Sequence, residues 1–255
     1  MRRLALELAD EARSFVRPRF RSRVSIKDKS DGTPVTEVDT ALEARLRERI
    51  RKRFPEHGII GEEIGGERAS SEWVWVLDPI DGTQSFILGK PTFASLIGLM
   101  HENVPVLGVI EHPALGDRWI GGKGMPTELN GAPARVRACA RVSDAALSTT
   151  GPNWFGENEL AAFDRVRAAA RMQHWGADCH SFGLVASGFI DLVIESSHGL
   201  HDFCALVPVV EAAGGIMTDW AGRPLDARSG PRVIAAGDPR VHAEALVLLG
   251  GGNSW

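Results

Sequence analysis

Apolar side chains recur every three or four residues in two segments near the start of the chain, a spacing that predicts two amphipathic helices. The residues of these stripes are Leu4, Leu8, Ala12 and Phe15 in the first segment, and Leu42, Leu46, Ile50 and Phe54 in the second. Thr36 and Asp39 are of the types that cap the start of a helix, and Pro55 ends the second helix. The polar segment at 27–34 contains Gly and Pro, so we expect a turn or a mobile loop there.

Continuous apolar runs predict strands in the middle of the chain. Residues 73–77 (WVWVL) form such a run and lead directly into DPIDGT at 78–83, so we expect a buried strand that ends in an acidic turn. Apolar runs at 94–100 and 104–110 predict the next pair of strands. The acids therefore lie at an edge of the predicted sheet.

Helical and strand patterns alternate in the C-terminal part of the chain, as they do in an α/β layer. The expected helices are 160–172 and 202–213, and the expected strands are 191–195 and short segments near Ile216 and Val233. A region rich in Gly, Pro and Asn at 123–133 precedes this part. We therefore expect one compact unit with an N-terminal half at 1–125 and a C-terminal half at 126–255.

The composition excludes several classes of function. The chain has 255 residues, is 44% hydrophobic and has a formal net charge of −4, so it can bury a large core and has no strong field that would attract nucleic acid. No apolar run approaches the roughly 20 residues that cross a bilayer, and Asp10 and Glu11 interrupt the run that a signal peptide needs. We expect a cytoplasmic protein whose partner is a small molecule and neither nucleic acid nor a membrane.

Four acidic side chains follow patterns that can bring them together. They are Glu62 in IIGEE, Asp78 and Asp81 in LDPIDGT, and Asp202 at the predicted start of a helix. Each acid alone could be a solvated loop residue or a helix cap. Together, carboxylates at a buried sheet edge cost free energy unless cations neutralise them, and carboxylate oxygens suit Mg²⁺. The sequence therefore predicts a magnesium site, in which two ions about 3.5–4 Å apart could share Asp78.

Four segments resemble, in order and spacing, the motifs of the inositol monophosphatase superfamily. They are VTEVD at 35–39, GEE at 61–63, WVLDPIDGTQSFILGKPTFASLIGL at 75–99 and HDFCALVPVVEAAGG at 201–215. The resemblance spans nearly the whole chain. It implies a layered α/β fold, the α/β/α/β/α sandwich, together with a Mg²⁺-dependent phosphomonoesterase activity, two or three bound ions and a homodimer.

The resemblance also implies a set of metal ligands. One Mg²⁺ would be held by Glu62, Asp78 and the backbone carbonyl of Ile80. Another would be held by Asp78, Asp81 and Asp202. We expect Asp202 to contact the substrate as well.

The remaining catalytic roles come from the same resemblance. Thr83 would pair with Asp39 to orient and activate the attacking water, with Glu62 as a further catalytic residue. The backbone N–H groups of Gly82 and Thr83 would bind the phosphate, as exposed helix starts do for anions.

Two segments look like the versions found in the histidinol-phosphate phosphatase branch of the superfamily. They lie at 130–152 and 176–195, and His201 stands immediately before the acid of the second motif where inositol phosphatases usually have Trp. Asp178 and Glu195 lie in the segment that lines the substrate pocket of the superfamily. A pair of carboxylates there would favour the ammonium group of histidinol phosphate.

Three alternatives stay open. The substrate could be an inositol, sugar or nucleotide phosphate, and the chain could be a non-catalytic module that keeps the fold. A zinc site is the third, because imidazole and thiolate prefer zinc. Its candidate ligands are His174, Asp178, Cys179, His180, His198, His201 and Asp202. The sequence assigns no role to Glu63, Lys27 or Lys29.

Overall fold

The computed structural model describes residues 1–30, 32–176 and 178–250 of the chain. Within these residues the strands form a two-stranded, an eight-stranded and a five-stranded sheet, with helices between and outside the two larger sheets. No helix formed by these residues combines the length and the apolar character needed to cross a bilayer.

Two N-terminal helices lie where the apolar stripes predict them. Helix α1 spans Arg2–Val16 and α2 spans Glu37–Arg53, and their apolar stripes are buried in one core cluster. Thr36 is the N-cap of α2, and its side chain and that of Asp39 form a capping box. A single 3₁₀ turn at Arg17–Arg19 follows α1. The predicted helices and the predicted cap are confirmed.

The polar segment predicted as a turn or loop is a short hairpin. Strand β1 spans Ile26–Asp28 and β2 spans Pro34–Thr36, and the two pair in antiparallel orientation. Between the strands the N–H of Gly32 donates to the carbonyl of Lys29 at 3.0 Å, as in a turn, but the ends of the segment belong to strands. Strands of three residues have too little apolar pattern to be identified from sequence, and β1 is exposed throughout.

The eight-stranded sheet contains the predicted strands of the middle of the chain. Its members are β3 (Gly58–Gly61), β4 (Gly65–Glu67), β5 (Trp73–Asp81), β6 (Ala94–His101), β7 (Val104–His112), β8 (Asp117–Gly122), β9 (Met125–Leu129) and β10 (Ala132–Pro133). The spatial order is β10-β9-β8-β7-β6-β5-β3-β4, and every neighbouring pair is antiparallel except β3 and β5. Helix α3 (Thr83–Ile87) connects β5 and β6.

The five-stranded sheet and its helices come from the C-terminal part. The strands are β11 (Ala146–Thr149), β12 (Met172–Trp175), β13 (Leu192–Glu195), β14 (Ile216–Thr218) and β15 (Val233–Ala236), in the order β12-β11-β13-β15-β14. The helices are α4 (Glu157–Ala169), α5 (His180–Ala186), α6 (Leu200–Phe203), α7 (Leu206–Ala212) and α8 (Pro239–Gly250).

The elements stack in five layers. Helices α1 and α2 cover one face of the eight-stranded sheet, and α5 and α7 lie between that sheet and the five-stranded one. Helices α4 and α8 cover the outer face of the five-stranded sheet. The predicted α/β/α/β/α sandwich is therefore confirmed.

The helix predicted at 202–213 is two short helices, α6 and α7. Pro208 lies in the first turn of α7, has no backbone N–H and its ring would clash with a helical carbonyl at Cys204, so the helix is interrupted at Cys204 and Ala205. The junction of the helices contacts the paired residues Gly98 of β6 and Gly108 of β7. A Cβ at Gly98 would lie 2.6 Å from the Cys204 sulfur, and one at Gly108 would overlap the backbone of Ala205.

Two other boundaries differ from the sequence prediction. The helix expected at 160–172 begins at Glu157 and ends at Ala169, and its expected last residue, Met172, is the first residue of the edge strand β12. Residues of the Gly- and Pro-rich region at 123–133 form β9 and β10 and extend the eight-stranded sheet. The division of the chain at residue 125 stays a prediction.

Candidate functional site

The predicted acids lie where several elements meet at one edge of the eight-stranded sheet. Glu62 directly follows β3, Asp78 and Asp81 lie at the end of β5, and Asp202 lies in α6. Strands β3 and β5 are parallel neighbours, so their ends bring Glu62 to Asp78. The register of β5 against β6 shifts between Asp78 and Asp81, as at a β-bulge, and such a shift re-aims side chains.

Three of these carboxylates form a compact cluster. One oxygen from each of Asp78, Asp81 and Asp202 lies within 4.8 Å of the other two. Burial and the charges of Glu62, Asp81 and Asp202 raise the pKa of Asp78 well above its usual value. Burial and the charges of Asp178 and Asp202 raise the pKa of Asp81 to about 7, although its hydrogen bond from Cys179 opposes the shift. The cluster is therefore short of positive charge.

A divalent cation fits this donor set. Asp78 is only 1% exposed, and within the part of the chain that the structure describes its Oδ1 has no hydrogen-bond partner. A bound cation would satisfy that oxygen and offset the repulsion among the acids. Among the described residues, the only group of three or more candidate ligands that converges is this one.

Two further predicted ligands border the cluster. The carboxylate of Glu62 accepts a hydrogen bond from Nζ of Lys29 at 2.7 Å, and Lys29 also donates to Glu63 at 2.8 Å. Although burial opposes it, the contacts with these two acids raise the pKa of Lys29. The carbonyl of Ile80 lies 3.0 Å from the Thr83 oxygen, and with the Thr83 proton directed to Asp39 its lone pairs are available to a cation.

Thr83 and Asp39 form the predicted pair beside the cluster. The Thr83 hydroxyl donates toward Oδ1 of Asp39 at 3.2 Å. Asp39 is fully buried, and its other oxygen accepts hydrogen bonds from the backbone N–H of Thr36 at 3.0 Å and from the Thr36 hydroxyl. Burial raises the pKa of Asp39, and the bonds from Thr36 limit the shift. The capping box of α2 thus orients the acid behind Thr83.

Gly82 lets the backbone pass between the acids and α3. It has a φ of +79°, a conformation that favours glycine, and it is the N-cap of α3. A Cβ there would lie only 2.9 Å from Cγ of Asp178. Both facts explain why a residue without a side chain follows Asp81.

The two acids predicted to bind an ammonium group have polar partners in the protein. Asp178 accepts hydrogen bonds from the hydroxyls of Ser85 at 2.6 Å and Thr92 at 3.0 Å. Glu195 is 1% exposed and accepts from the N–H of Thr150 at 2.6 Å and from the hydroxyl of Thr149 at 3.1 Å. Burial raises the pKa of Glu195 to about 7 despite these bonds.

One cavity of about 710 Å³ brings these residues together. Every predicted site residue except Asp39 lines it, and Asp39 lies behind Thr83. Its wall also includes His198, which the sequence offered only as a zinc ligand, and side chains that sequence reasoning did not select: Leu88, Lys90, Asn153, Trp154, Trp175 and Ser197. They lie after α3, after β11, at the end of β12 and after β13, in segments that share no sequence motif.

Among the described residues, the histidines and the cysteine considered for zinc, His198 and His201 included, form no group of three or more converging ligands. His180 packs against the rings of His112 and Trp119, at centroid distances of 4.7 and 5.8 Å, and Cys179 is buried. His174 lies on the exposed edge strand β12. The described residues therefore favour an oxygen-ligand site for a hard cation over a zinc site.

Comparisons with known proteins agree with this geometry. The model of the inositol monophosphatase family matches residues 1–249. Among curated proteins, the chain is 45% identical to the chloroplastic bifunctional phosphatase IMPL2 of Arabidopsis thaliana, over 95% of this chain and 72% of that protein. It is 36% identical to the histidinol-phosphatase of Mycobacterium tuberculosis, over 98% of this chain and 97% of that protein.

Solved structures give the same result. An inositol monophosphatase from Zymomonas mobilis superposes with a TM-score of 0.90 at 43% identity, covering 97% of this chain and 96% of that chain. Sequence, fold and the position of the acidic cluster therefore agree, and the chain belongs to the inositol monophosphatase family and is a phosphomonoester hydrolase.

Proposed function

We propose that this protein is a Mg²⁺-dependent phosphatase that hydrolyses histidinol phosphate to histidinol and phosphate. The observation that supports this substrate most strongly is that Asp178 and Glu195 line the cavity that contains the acidic cluster. Two histidinol-phosphatases, from Mycobacterium tuberculosis and Chlorobaculum parvum, are each 36% identical to the chain.

The family is metal-dependent, and in our proposal Glu62, Asp78, Asp81, Asp202 and the carbonyl of Ile80 hold Mg²⁺. The bound cations supply positive charge to the oxygens of the phosphate during its transfer to water. The chain itself supplies the acceptor for the proton of water.

Thr83 and Asp39 are suited to that second task. Because the Thr83 hydroxyl donates to Asp39, its oxygen is free to accept a hydrogen bond from the attacking water. The proton of water can then move to Thr83 as the Thr83 proton moves to Asp39. The raised pKa of the buried Asp39 makes it a stronger base than an exposed aspartate, as general-base catalysis requires.

The far wall of the cavity suits the alcohol part of histidinol phosphate. Asp178 retains acceptor capacity for an ammonium group besides its bonds to Ser85 and Thr92. Trp154 and Trp175 also line the cavity, and aromatic faces attract cations and stack on imidazole rings.

Inositol phosphate is the second candidate substrate. It is favoured by the 43% identity and the TM-score of 0.90 with the inositol monophosphatase of Zymomonas mobilis. A probable inositol 1-monophosphatase of Mycobacterium tuberculosis is 37% identical over 84% of the chain.

Two other parts of the proposal rest on the family resemblance and on composition. The first is that the protein is a homodimer located in the cytoplasm. The second is that the chain consists of two halves, at 1–125 and 126–255.

Phosphate release over a panel of substrates tests the proposed function. With Mg²⁺ present, we expect the highest kcat/KM for histidinol phosphate. The kcat/KM for inositol 1-phosphate, glycerol phosphate and a nucleoside monophosphate should be much lower. A higher kcat/KM for inositol 1-phosphate would replace histidinol phosphate with the second candidate. No release from any member would contradict the phosphatase proposal itself.

The variant Asp178→Asn tests the ammonium contact. Asn can still accept the bonds from Ser85 and Thr92, but a desolvated ammonium loses a charge-assisted hydrogen bond of about 1.5–3 kcal/mol. We expect kcat/KM for histidinol phosphate to fall roughly ten- to a hundredfold, while kcat/KM for glycerol phosphate changes little. Asp144→Asn, at an exposed aspartate in another part of the chain, is the matched control. An equal loss with both substrates would make Asp178 a structural residue.

A further inference from the structure

Glu43 and Arg47 form a buried ion pair one turn apart on α2, behind the segment that contains Glu62. Glu43 is 0% and Arg47 2% exposed, and Nε of Arg47 donates to Oε1 of Glu43 at 2.7 Å. A buried ion pair adds little net stability compared with well-packed apolar residues. Stability alone therefore does not explain the pair.

The pair binds the backbone that follows Glu62. The Glu43 carboxylate accepts hydrogen bonds from the N–H of Glu63 at 2.7 Å and from the N–H of Ile64 at 3.2 Å. Arg47 donates to the carbonyl of Gly65. Three successive residues are thus tied to one helix.

The backbone before Glu62 is shaped to the same carboxylate. A Cβ at Gly61 would overlap the carboxylate of Glu43, so β3 can pass this close only because residue 61 is glycine. The N–H of Glu62 itself donates to the carbonyl of Leu77 in β5 at 3.1 Å. Glu62 is therefore held between α2 and β5, the strand that contains Asp78.

Helix α2 also reaches the other part of the site. Asp39 lies one turn before Glu43, a spacing that puts both side chains on the same helix face. Asp39 holds the hydroxyl of Thr83, whereas Glu43 holds the segment of Glu62. One rigid helix thus sets the position of two functional groups that are distant in sequence.

We propose that Glu43, braced by Arg47, is a positioning residue for cation binding, because it fixes the backbone that aims the Glu62 carboxylate at the cation beside Asp78. The inference rests on the proposed function in one respect: it takes Glu62 as a ligand of Mg²⁺. Replacing residues that orient metal ligands typically weakens metal binding by about 10–100-fold.

The test compares Glu43→Gln with Glu48→Gln, an exposed glutamate on the same helix. Gln has the shape of Glu, but its amide group turns an N–H toward the backbone donors or toward Arg47. Mg²⁺ binding is measured by calorimetry on protein freed of metal with EDTA, without substrate. The Mg²⁺ dependence of kcat is measured separately with p-nitrophenyl phosphate.

We expect the Kd for Mg²⁺ of Glu43→Gln to rise about 10–100-fold and its kcat to recover at saturating Mg²⁺, with Glu48→Gln like the wild type. An unchanged Kd together with a lower Tm would show that the pair is only structural and would overturn the proposal. If Glu43→Gln does not fold, Glu43→Asp keeps the charge for Arg47 but shortens the reach to the backbone. A wild-type Kd in that variant would equally overturn the proposal.

The two proposals fail in different ways. A wild type that binds Mg²⁺ but hydrolyses no phosphomonoester would contradict the proposed function alone. A wild type that binds Mg²⁺ but whose Kd is unaffected by Glu62→Gln would contradict the inference, because Glu62 would not be a ligand for Glu43 to position.

Discussion

Asp81→Asn is expected to lower kcat by at least about 10³-fold while the protein remains folded. A carboxylate that holds a cation beside the transferring phosphate contributes several kcal/mol of transition-state stabilisation, and each factor of ten corresponds to about 1.4 kcal/mol. Asp202→Asn should behave alike, since both acids belong to the same cluster. Wild-type protein in excess EDTA gives the baseline for the phosphate-release assay, and Asp144→Asn again serves as control.

The same substitution that lowers kcat should raise the melting temperature of the metal-free protein. Because the pKa of Asp81 is raised to about 7 in the folded state, above the usual value near 4 of an unfolded chain, stability from this group is lost as pH rises through that window. Above pH 7 Asp81 is buried as a charged group near Asp178 and Asp202, whereas Asn carries no charge. The Tm of the Asn variant without metal should therefore be higher than that of the wild type. If either variant kept more than about a tenth of the wild-type rate, the acid would contribute less than roughly 1.4 kcal/mol of transition-state stabilisation and would not be a metal ligand.

Thr83→Ala is expected to lower kcat by about 10²–10⁴-fold, the usual contribution of a positioned proton acceptor. KM should change much less, because the hydroxyl acts on the attacking water. The variant Thr83→Ser keeps the hydroxyl that reaches Asp39 and should retain most of the activity. Steady-state kinetics with histidinol phosphate and Mg²⁺ separate the effect on kcat from the effect on KM.

A different outcome would reassign Thr83. If Thr83→Ala raised KM and left kcat unchanged, the hydroxyl would contribute uniform binding to substrate and transition state. Thr83→Ser would then be expected to restore KM alone.

The acidic part of the site could be predicted from sequence because its residues lie in short motifs next to strong patterns. Asp78 and Asp81 follow an apolar run in sequence, which predicts their place at the end of a strand, although β5 continues through both acids to Asp81 where a turn was expected. Thr36 and Asp39 match the residue types of a helix start, and the structure places both at that start. Local pattern and tertiary position agree at these residues.

Other features depend on contacts between distant segments and could not be predicted. Glu43 looks like an ordinary surface acid in sequence, and only the fold shows that it is buried against the backbone of Glu63. Trp154 and Trp175 meet in one cavity only because β11 and β12 are parallel neighbours. The break in the predicted helix at 202–213 could have been inferred from Pro208, which the regular apolar pattern obscured.

The contact of Gly98 and Gly108 with the junction of α6 and α7 determines the scale of the acidic site. Gly108 faces the backbone of Ala205 and Gly98 faces the side chain of Cys204, so these glycines let the layer that contains Asp202 lie close to the sheet that contains Asp78. The gap across which the acids face each other therefore depends on how closely the junction of α6 and α7 approaches these two glycines. Substitutions elsewhere in the neighbouring core can leave that gap unchanged. A methyl group at either glycine, although distant from the acids, would push the two layers apart and so increase the distance between the acids.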